Sequence, residues 1–258
     1  QRLFAPEEVA VVDRFLDSGG NVLLAFDPTL KKEALQPTGF EDSLAKRGIL
    51  LGNDLVIEND QNRQLPGNLG DLFITIDLGT HRLTDTIRKR GGGVLVAVAR
   101  SVAAAPKTDA EVIMQTSPSA IAEYDLTEAF DDGGDANIEA RVVPLAVAWE
   151  YVPPLGDDLK PAPSEGPEPG RLMVIGDSDW MSAELLDNPQ LSNIDLLSST
   201  AGWLTKREAM INIAPRKAKA RSVIMSDADL ADLFFRVVVL LPLAALIAGF
   251  GVWWTRRT

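Results

Sequence analysis

The residues best suited to chemistry are two carboxylates and a hydroxyl in the loop Gly176-Asp-Ser-Asp-Trp180. This loop follows the apolar stretch 171–175, and α/β proteins usually bind ligands where a strand ends. Asp27 follows a second apolar stretch, 21–26, in the same way. The ligand-binding candidates are therefore Asp27, Asp177, Ser178 and Asp179.

The loop allows three kinds of chemistry. Ser178 could act as a nucleophile, because GDSL-type hydrolases carry a similar loop, but those enzymes also need a downstream Asp-x-x-His and no histidine follows here. Asp177 and Asp179 could hold Mg²⁺ or Ca²⁺, although such cations usually take more ligands than two carboxylates. Asp177 or Ser178 could instead cap a helix over about 179–186, and we favour this structural role.

The composition excludes several classes of site. The chain of 258 residues has no cysteine and one histidine, His81, which rules out thiol nucleophiles, Cys-based zinc sites and multi-histidine metal sites. Neither a dinucleotide fingerprint nor a P-loop occurs, so we predict no cofactor and no metal. For His81, a loop or helix-cap role is favoured over catalysis. A net charge of -12 repels phosphate backbones, so we do not expect nucleic acid as a partner.

The elements that position these residues alternate between helices and strands. Helices are predicted from Pro6 to the glycines at 19–20, over 40–47, and from an Asn193 cap onward; the last has an apolar stripe of Ile194, Leu197, Ala201 and Leu204. Strands are predicted at 21–26, 54–57, 94–98, 112–115, 142–151 and 171–175. This alternation predicts an α/β fold, layered around a mainly parallel sheet.

A long apolar run near the C-terminus predicts a membrane helix. Residues 237–254 carry no charge over 18 positions, which spans about 27 Å in a helix. Trp253-Trp254 and Arg256-Arg257 resemble an interfacial anchor, and the arginine pair favours a cytoplasmic C-terminus. Small residues on this helix would let a partner helix approach closely, and the partner-helix candidates are Ala245, Ala248 and Gly249.

These patterns predict four regions. An extracytoplasmic α/β domain occupies 1–222, with a loop insertion at 153–170 that is rich in proline and glycine. A juxtamembrane segment at 223–233 leads to the single C-terminal transmembrane helix at 234–254, and a cytoplasmic tail covers 255–258.

An ordered set of short motifs across the chain resembles the GldG family of gliding-motility-associated auxiliary components of ABC transporters. The motifs are Phe15-Leu16-x-x-Gly19-Gly20-Asn21, Asp27-Pro28, Gly48-Ile49, Asn53-Asp54-Leu-Val-Ile57, His81, Val174-Ile-Gly-Asp-Ser-Asp179, Asn193, Trp203-Leu204, Pro242 and Trp253-Trp254-x-Arg256-Arg257. The resemblance implies a domain similar in fold to flavodoxin and to class I glutamine amidotransferases, incomplete at its N-terminus. Those amidotransferases use a cysteine nucleophile, so the resemblance implies no catalysis here.

The function implied by this resemblance is a non-catalytic auxiliary subunit of an ABC-type transport system. Its partners would be the permease, its ATPase and membrane lipid. Its location would be the bacterial inner membrane, with a periplasmic domain that binds or presents a substrate or partner. Two alternatives remain: a membrane-anchored hydrolase that uses Ser178, and an envelope scaffold that works without a transporter.

Overall fold

A computed structural model describes residues 3–31, 34–65, 67–124, 139–151 and 170–207, and near the C-terminus 234–240, 242–243, 246, 252–254 and 256. The chain divides into two units, Gln1–Pro215 and Arg216–Thr258. The four ligand-binding candidates all lie in the first unit.

The first unit combines five α-helices with thirteen short strands among the described residues. The helices are α1 (Pro6–Asp17), α2 (Glu41–Ala45), α3 (Asp85–Arg90), α4 (Ala183–Leu186) and α5 (Asn193–Leu204), with a 3-10 turn at Asp179–Met181. The strands are β1 (Val22–Ala25), β2 (Leu30–Lys31), β3 (Ala34–Leu35), β4 (Ile49–Leu51), β5 (Leu55–Ile57), β6 (Leu72–Thr75), β7 (Asp77–Leu78), β8 (Val94–Ala97), β9 (Val102–Ala104), β10 (Ala110–Gln115), β11 (Ile121–Glu123), β12 (Pro144–Trp149) and β13 (Leu172–Ile175).

The prediction of a mainly parallel sheet is wrong, because the central sheet is mixed. Its five strands run in the order β1-β13-β12-β10-β7. Only β1 and β13 are parallel, while β12 pairs antiparallel with both β13 and β10, and β10 pairs antiparallel with β7. Parallel neighbours need a long crossover, usually a helix, and the sequence predicts no helix between β10, β12 and β13. Strands that are joined without a helix between them therefore form antiparallel pairs, as β10, β12 and β13 do here.

The central sheet is apolar on both faces. In β1, Val22 and Leu24 pack into a cluster with Val9 and Leu16 of α1, whereas Leu23 and Ala25 pack into a second cluster on the other face. That second cluster contains residues from α3 and α5. Alternation of side chains along a strand produces this division, so both faces of the sheet are covered by helices.

The start of α1 agrees with the prediction, but the buried faces of two helices differ from it. The sequence predicts Val9, Val12, Phe15 and Leu16 on one apolar face of α1, but Phe15 is 54% exposed. In α5 the predicted stripe is also wrong, since Ile194 is 44% exposed. The buried face of α5 consists of Asn193, Leu196, Ser199, Thr200 and Trp203.

Asn193 opens α5 without capping it. The cap position is Ser192, and the Asn193 amide instead donates to the carbonyls of Leu95 (2.9 Å) and Trp180 (3.0 Å). Its side-chain oxygen accepts the N–H of Leu95 at 2.9 Å. The polar side chain is buried because β8 and the 3-10 turn supply its hydrogen bonds, so it fixes the start of α5 against these two elements.

The predicted transmembrane helix at 234–254 is not found among the residues that the structure describes. A π-helical stretch of 6 residues, Phe235–Leu240, is described in the second unit. Among the residues that the structure describes, no helix combines the length and the apolar character needed to cross a membrane. The candidates Ala245, Ala248 and Gly249 lie outside the described residues.

Candidate functional site

The strand ends of β1 and β13 meet at one edge of the sheet. Because these two strands are parallel, the residues that follow them emerge side by side. Asp27 accepts the backbone N–H of Ser178 at 2.5 Å and the Ser178 hydroxyl at 2.7 Å, with one oxygen for each. The fold therefore brings together two of the four predicted candidates, although they are far apart in sequence.

Asp177 lies beneath this contact and is fully buried. Its Oδ2 accepts the N–H of Ala97 at 2.9 Å, and its Oδ1 accepts the N–H of Asp179 at 2.6 Å. The pKa of Asp177 is raised to about 7, mainly by burial; the backbone hydrogen bonds from Ala97 and Asp179 oppose this rise, and the nearby carboxylates of Asp27 and Asp179 add to it. The group therefore titrates near neutral pH.

Asp179 is the exposed member of the candidate set. It begins the 3-10 turn Asp179–Met181, after which α4 starts separately at Ala183. The predicted single helix over 179–186 is therefore divided into two short elements. Neither Ser178 nor Ser182 makes a side-chain cap hydrogen bond at their starts. The carboxylate of Asp177 instead closes a local turn by accepting the N–H two residues ahead.

The segment after β8 forms a third wall of the site. Ala97 donates to Asp177, and the backbone N–H of Arg100 donates to the carbonyl of Gly176 at 2.8 Å. Between them, Val98 has φ 52° and is 41% exposed. A β-branched residue in this left-handed region costs on the order of 1–3 kcal/mol, so the close approach to Gly176 and Asp177 is maintained against strain.

Arg100 is a feature of the site that sequence reasoning missed. Its side chain is fully buried, and its Nη2 donates to the carbonyl of Gln36 at 3.3 Å. Its Nε and Nη1 have no hydrogen-bond partner within the described part of the chain. Burial lowers its pKa, while attraction to Asp54, Glu41 and Asp27 opposes that change. The signal available in the sequence was a single arginine directly after an apolar strand, which is too common to identify a site.

The contact between Asp27 and Ser178 recurs elsewhere in the fold. We call it a carboxylate–serine clamp, in which the two oxygens of one carboxylate accept the N–H and the hydroxyl of one serine. Asp54 holds Ser101 in this way at 2.7 and 2.6 Å, and Glu58 holds Ser117 at 2.9 and 2.6 Å. Asp54 and Glu58 are both buried. Because three clamps share one geometry, the clamp at Asp27 is explained by structure without any catalytic role.

His81 lies far from Ser178. It packs edge-on against Trp203, with ring centroids 5.3 Å apart, and Trp203 contacts Arg171 just before β13 begins. Ser178 follows the opposite end of β13, and this strand spans about 13 Å. The fold therefore does not bring the serine hydroxyl and the imidazole together.

Metal binding receives no support from the described residues. Within them, no group of three or more acidic or histidine side chains is arranged to hold a metal ion. The oxygens of Asp27 and Asp177 accept hydrogen bonds from protein donors instead. The Asp177 carboxylate is thus organised around backbone N–H groups.

Comparison with known families identifies the chain. A family described as an ABC-type uncharacterized transport system matches residues 1–200. The chain belongs to this family. As a member of the ABC transporter auxiliary family, it is an auxiliary component of an ABC-type transport system, and the prediction is confirmed at that level. The match includes Asp27, Asp177, Ser178 and Asp179.

A solved structure supports the fold assignment of this family member. The structure titled "mmIFT52 N-terminal domain" is similar with a TM-score of 0.51 and 16% sequence identity, over 78% of this chain and 72% of that chain. At this identity the likeness concerns the fold alone. A search of curated proteins finds no significant match.

The clamp at Asp27 should contribute to stability through coupled hydrogen bonds. We expect Asp27→Ala and Ser178→Ala each to lower the free energy of unfolding by about 2 kcal/mol, because either change leaves a polar partner unsatisfied. The double variant should cost less than the sum, with a coupling of about 1 kcal/mol, in a double-mutant cycle measured by urea unfolding. The matched control is the cycle on Asp54 and Ser101, which has the same geometry elsewhere. If the losses in unfolding free energy caused by Asp27→Ala and Ser178→Ala were strictly additive, the clamp would be contradicted.

Proposed function

We propose that the chain is a non-catalytic, GldG-like subunit of an ABC-type transporter, linked to gliding motility or to the cell envelope. In this proposal the strand-end surface around Asp27, Ser178 and Asp179 binds a substrate or partner and presents it to the permease and its ATPase. The observation that carries the proposal is the family match over residues 1–200, which contains the whole strand-end site.

The geometry of the strand ends supports a binding role for this surface. Asp179 is exposed at the edge, and Asp27 beside it is half-buried. The clamp to Ser178, the buried Asp177 and the strained Val98 hold the backbone of this edge in a fixed position. A surface held in place before binding loses less entropy when a ligand or partner is bound.

The alternative of a hydrolase gains no support from these contacts. The Ser178 hydroxyl donates to a carboxylate, whereas a serine nucleophile needs a base such as histidine to take its proton. The single histidine lies at the other end of β13. The third possibility, an envelope scaffold without a transporter, fits the family less well than a transport subunit does.

The test is co-purification of the protein with the permease and ATPase expressed beside it. Asp179→Lys reverses an exposed charge at the site, so we expect it to reduce recovery of the transporter components severalfold while the fold stays intact. Asp109→Lys is the matched control, because Asp109 is exposed just before β10, near the edge where β13 begins. Failure of the wild-type protein to recover either component would refute the transport role. Equal recovery with both variants would refute the contact through this surface.

We also propose that the α/β unit lies outside the cytoplasm, as the GldG resemblance implies. The chain has no cysteine, so a single Thr108→Cys substitution introduces one exposed thiol. An impermeant thiol reagent should label this variant in intact cells to the same extent as in lysed cells. Labelling only after lysis would place the unit in the cytoplasm.

A further inference from the structure

The C-terminal end of α5 is fixed to the sheet through Trp203. This side chain is 1% exposed, and its Nε1 has no hydrogen-bond partner among the described residues, so ring contacts hold the indole. The guanidinium carbon of Arg171 lies 5.1 Å from the ring centroid, which is within cation–π range. Nη1 of Arg171 also donates to the backbone carbonyl of Trp203 at 2.6 Å. A cation at a helix C-terminus is stabilising, so Arg171 binds both the side chain and the end of the helix.

Arg171 connects this helix end to several strands. Its Nε donates to Glu150 at 2.8 Å, and its Nη2 lies 2.7 Å from the same carboxylate oxygen. Its backbone N–H donates to the side-chain oxygen of Asn21 at 2.7 Å. Arg171 therefore joins the end of β12, the start of β1 and the end of α5 at the point where β13 begins.

His81 completes the packing around Trp203. The imidazole meets the indole edge-on, at an interplanar angle of 81°. Its Nδ1 accepts the N–H of Leu83 at 3.2 Å, just before α3. A ring nitrogen that accepts a hydrogen bond carries no proton, so this geometry requires neutral imidazole with its proton on Nε2.

We propose that His81, Trp203 and Arg171 form an acid-labile latch that holds the C-terminal end of α5 against the sheet. One proton taken up at Nδ1 of His81 turns the acceptor for Leu83 into a second donor, so that hydrogen bond is lost. The same proton also makes His81 a cation, which the positively charged Arg171 repels. Both effects weaken the packing of Trp203.

The charged groups around His81 act in opposing directions. Burial is the main influence and lowers the pKa of His81. Glu111 on β10 and Glu150 after β12 favour the protonated form, whereas Arg82 beside His81 and Arg171 before β13 disfavour it. The balance lowers the pKa of His81 below the ordinary 6.5, so the latch is closed when the imidazole is neutral.

The sign of the pH dependence follows from this shift. The packed imidazole binds a proton less readily than the released one, so the stability of the latch is fully present above about pH 6.5 and is lost as the pH falls. The equilibrium constant for opening rises by up to about tenfold for each unit by which the packed pKa lies below the released value. Opening therefore releases the C-terminal end of α5 and the described residues that follow it, up to Arg207.

The test uses NMR on the whole chain, in which the lone His81 gives a single histidine signal. We expect the imidazole to titrate below 6.5. Amide exchange at 200–207, corrected for intrinsic rates, should accelerate severalfold between about pH 7.5 and about pH 5. Amides of β12 should keep their protection, which separates latch opening from global unfolding.

His81→Phe provides the matched variant, since it keeps an aromatic ring but cannot take up a proton. Its exchange at 200–207 should show no acceleration over the same range. An imidazole that titrates at or above 6.5 would overturn the proposal. An equal acceleration of amide exchange in β12, or in the His81→Phe variant, would also overturn the proposal. If the variant does not fold, the wild-type measurements alone test the proposal.

Discussion

Between about pH 4 and about pH 7, the protein should lose stability relative to an Asp177→Asn variant. Asp177 is fully buried, and its pKa is raised from 3.8 to about 7. The stability that its neutral form contributes is fully present below about pH 4, where the unfolded chain is also protonated, and is lost as the pH rises through 7. A shift of this size corresponds to about 4 kcal/mol.

The measurement is the free energy of urea unfolding of both proteins across this pH range. Their difference should change by several kcal/mol and become constant above about pH 7. Asparagine also changes one hydrogen bond to Ala97 or Asp179, but that cost does not depend on pH. Asp109→Asn is the control for the loss of one exposed carboxylate. If the difference between wild type and Asp177→Asn were the same at pH 4 and pH 7, the buried acid would not be titrating as proposed.

Replacing Gly176 by alanine should be more damaging than any other single-methyl addition at the site. A Cβ at this position would overlap the backbone carbonyl oxygen of Arg100, which cannot move without disrupting the strand ends. Overpacking against backbone costs on the order of 3 kcal/mol, so we expect the melting temperature to fall by roughly 10 °C or more, or folding to fail.

Gly91→Ala is the matched control for this substitution. Gly91 ends α3 with φ 66°, and a Cβ there would meet nothing within 4 Å. The Gly91→Ala substitution should lower the free energy of unfolding by only about 1 kcal/mol, through backbone strain. If both glycine variants were destabilised equally, the close approach of Gly176 to Arg100 would not explain the effect.

Local sequence signals were sufficient for the elements that carry the site. Pro6 marks the start of α1, and apolar runs mark β1 and β13, each followed by acidic residues that the structure places at one edge. Strand direction could not be inferred in the same way. The pairing of β12 with β13 depends on how a connection crosses the sheet, and apolar runs look alike in parallel and antiparallel strands.

Buried polar residues were the second feature that could not be predicted from the sequence. Nothing near Asn193 shows that its amide would bind Leu95, which lies 98 positions away. Asp54 and Glu58 likewise look like surface acids until Ser101 and Ser117 supply their hydrogen bonds. A polar side chain is buried when distant backbone groups match it, and local periodicity carries no information about such partners.

The position of β1 at the edge of the sheet affects how the chain can fold during synthesis. Among the described residues its only strand partner is β13, and Asp27 is 151 positions from Ser178. At common translation rates, roughly 10 to 30 seconds pass between the synthesis of these two segments. Pairing between two strands that lie so far apart in the sequence is slow to form. The strand that precedes Asp27 is thus made well before its partner and stays unpaired until β13 has been synthesised, so the contact between Asp27 and Ser178 forms late.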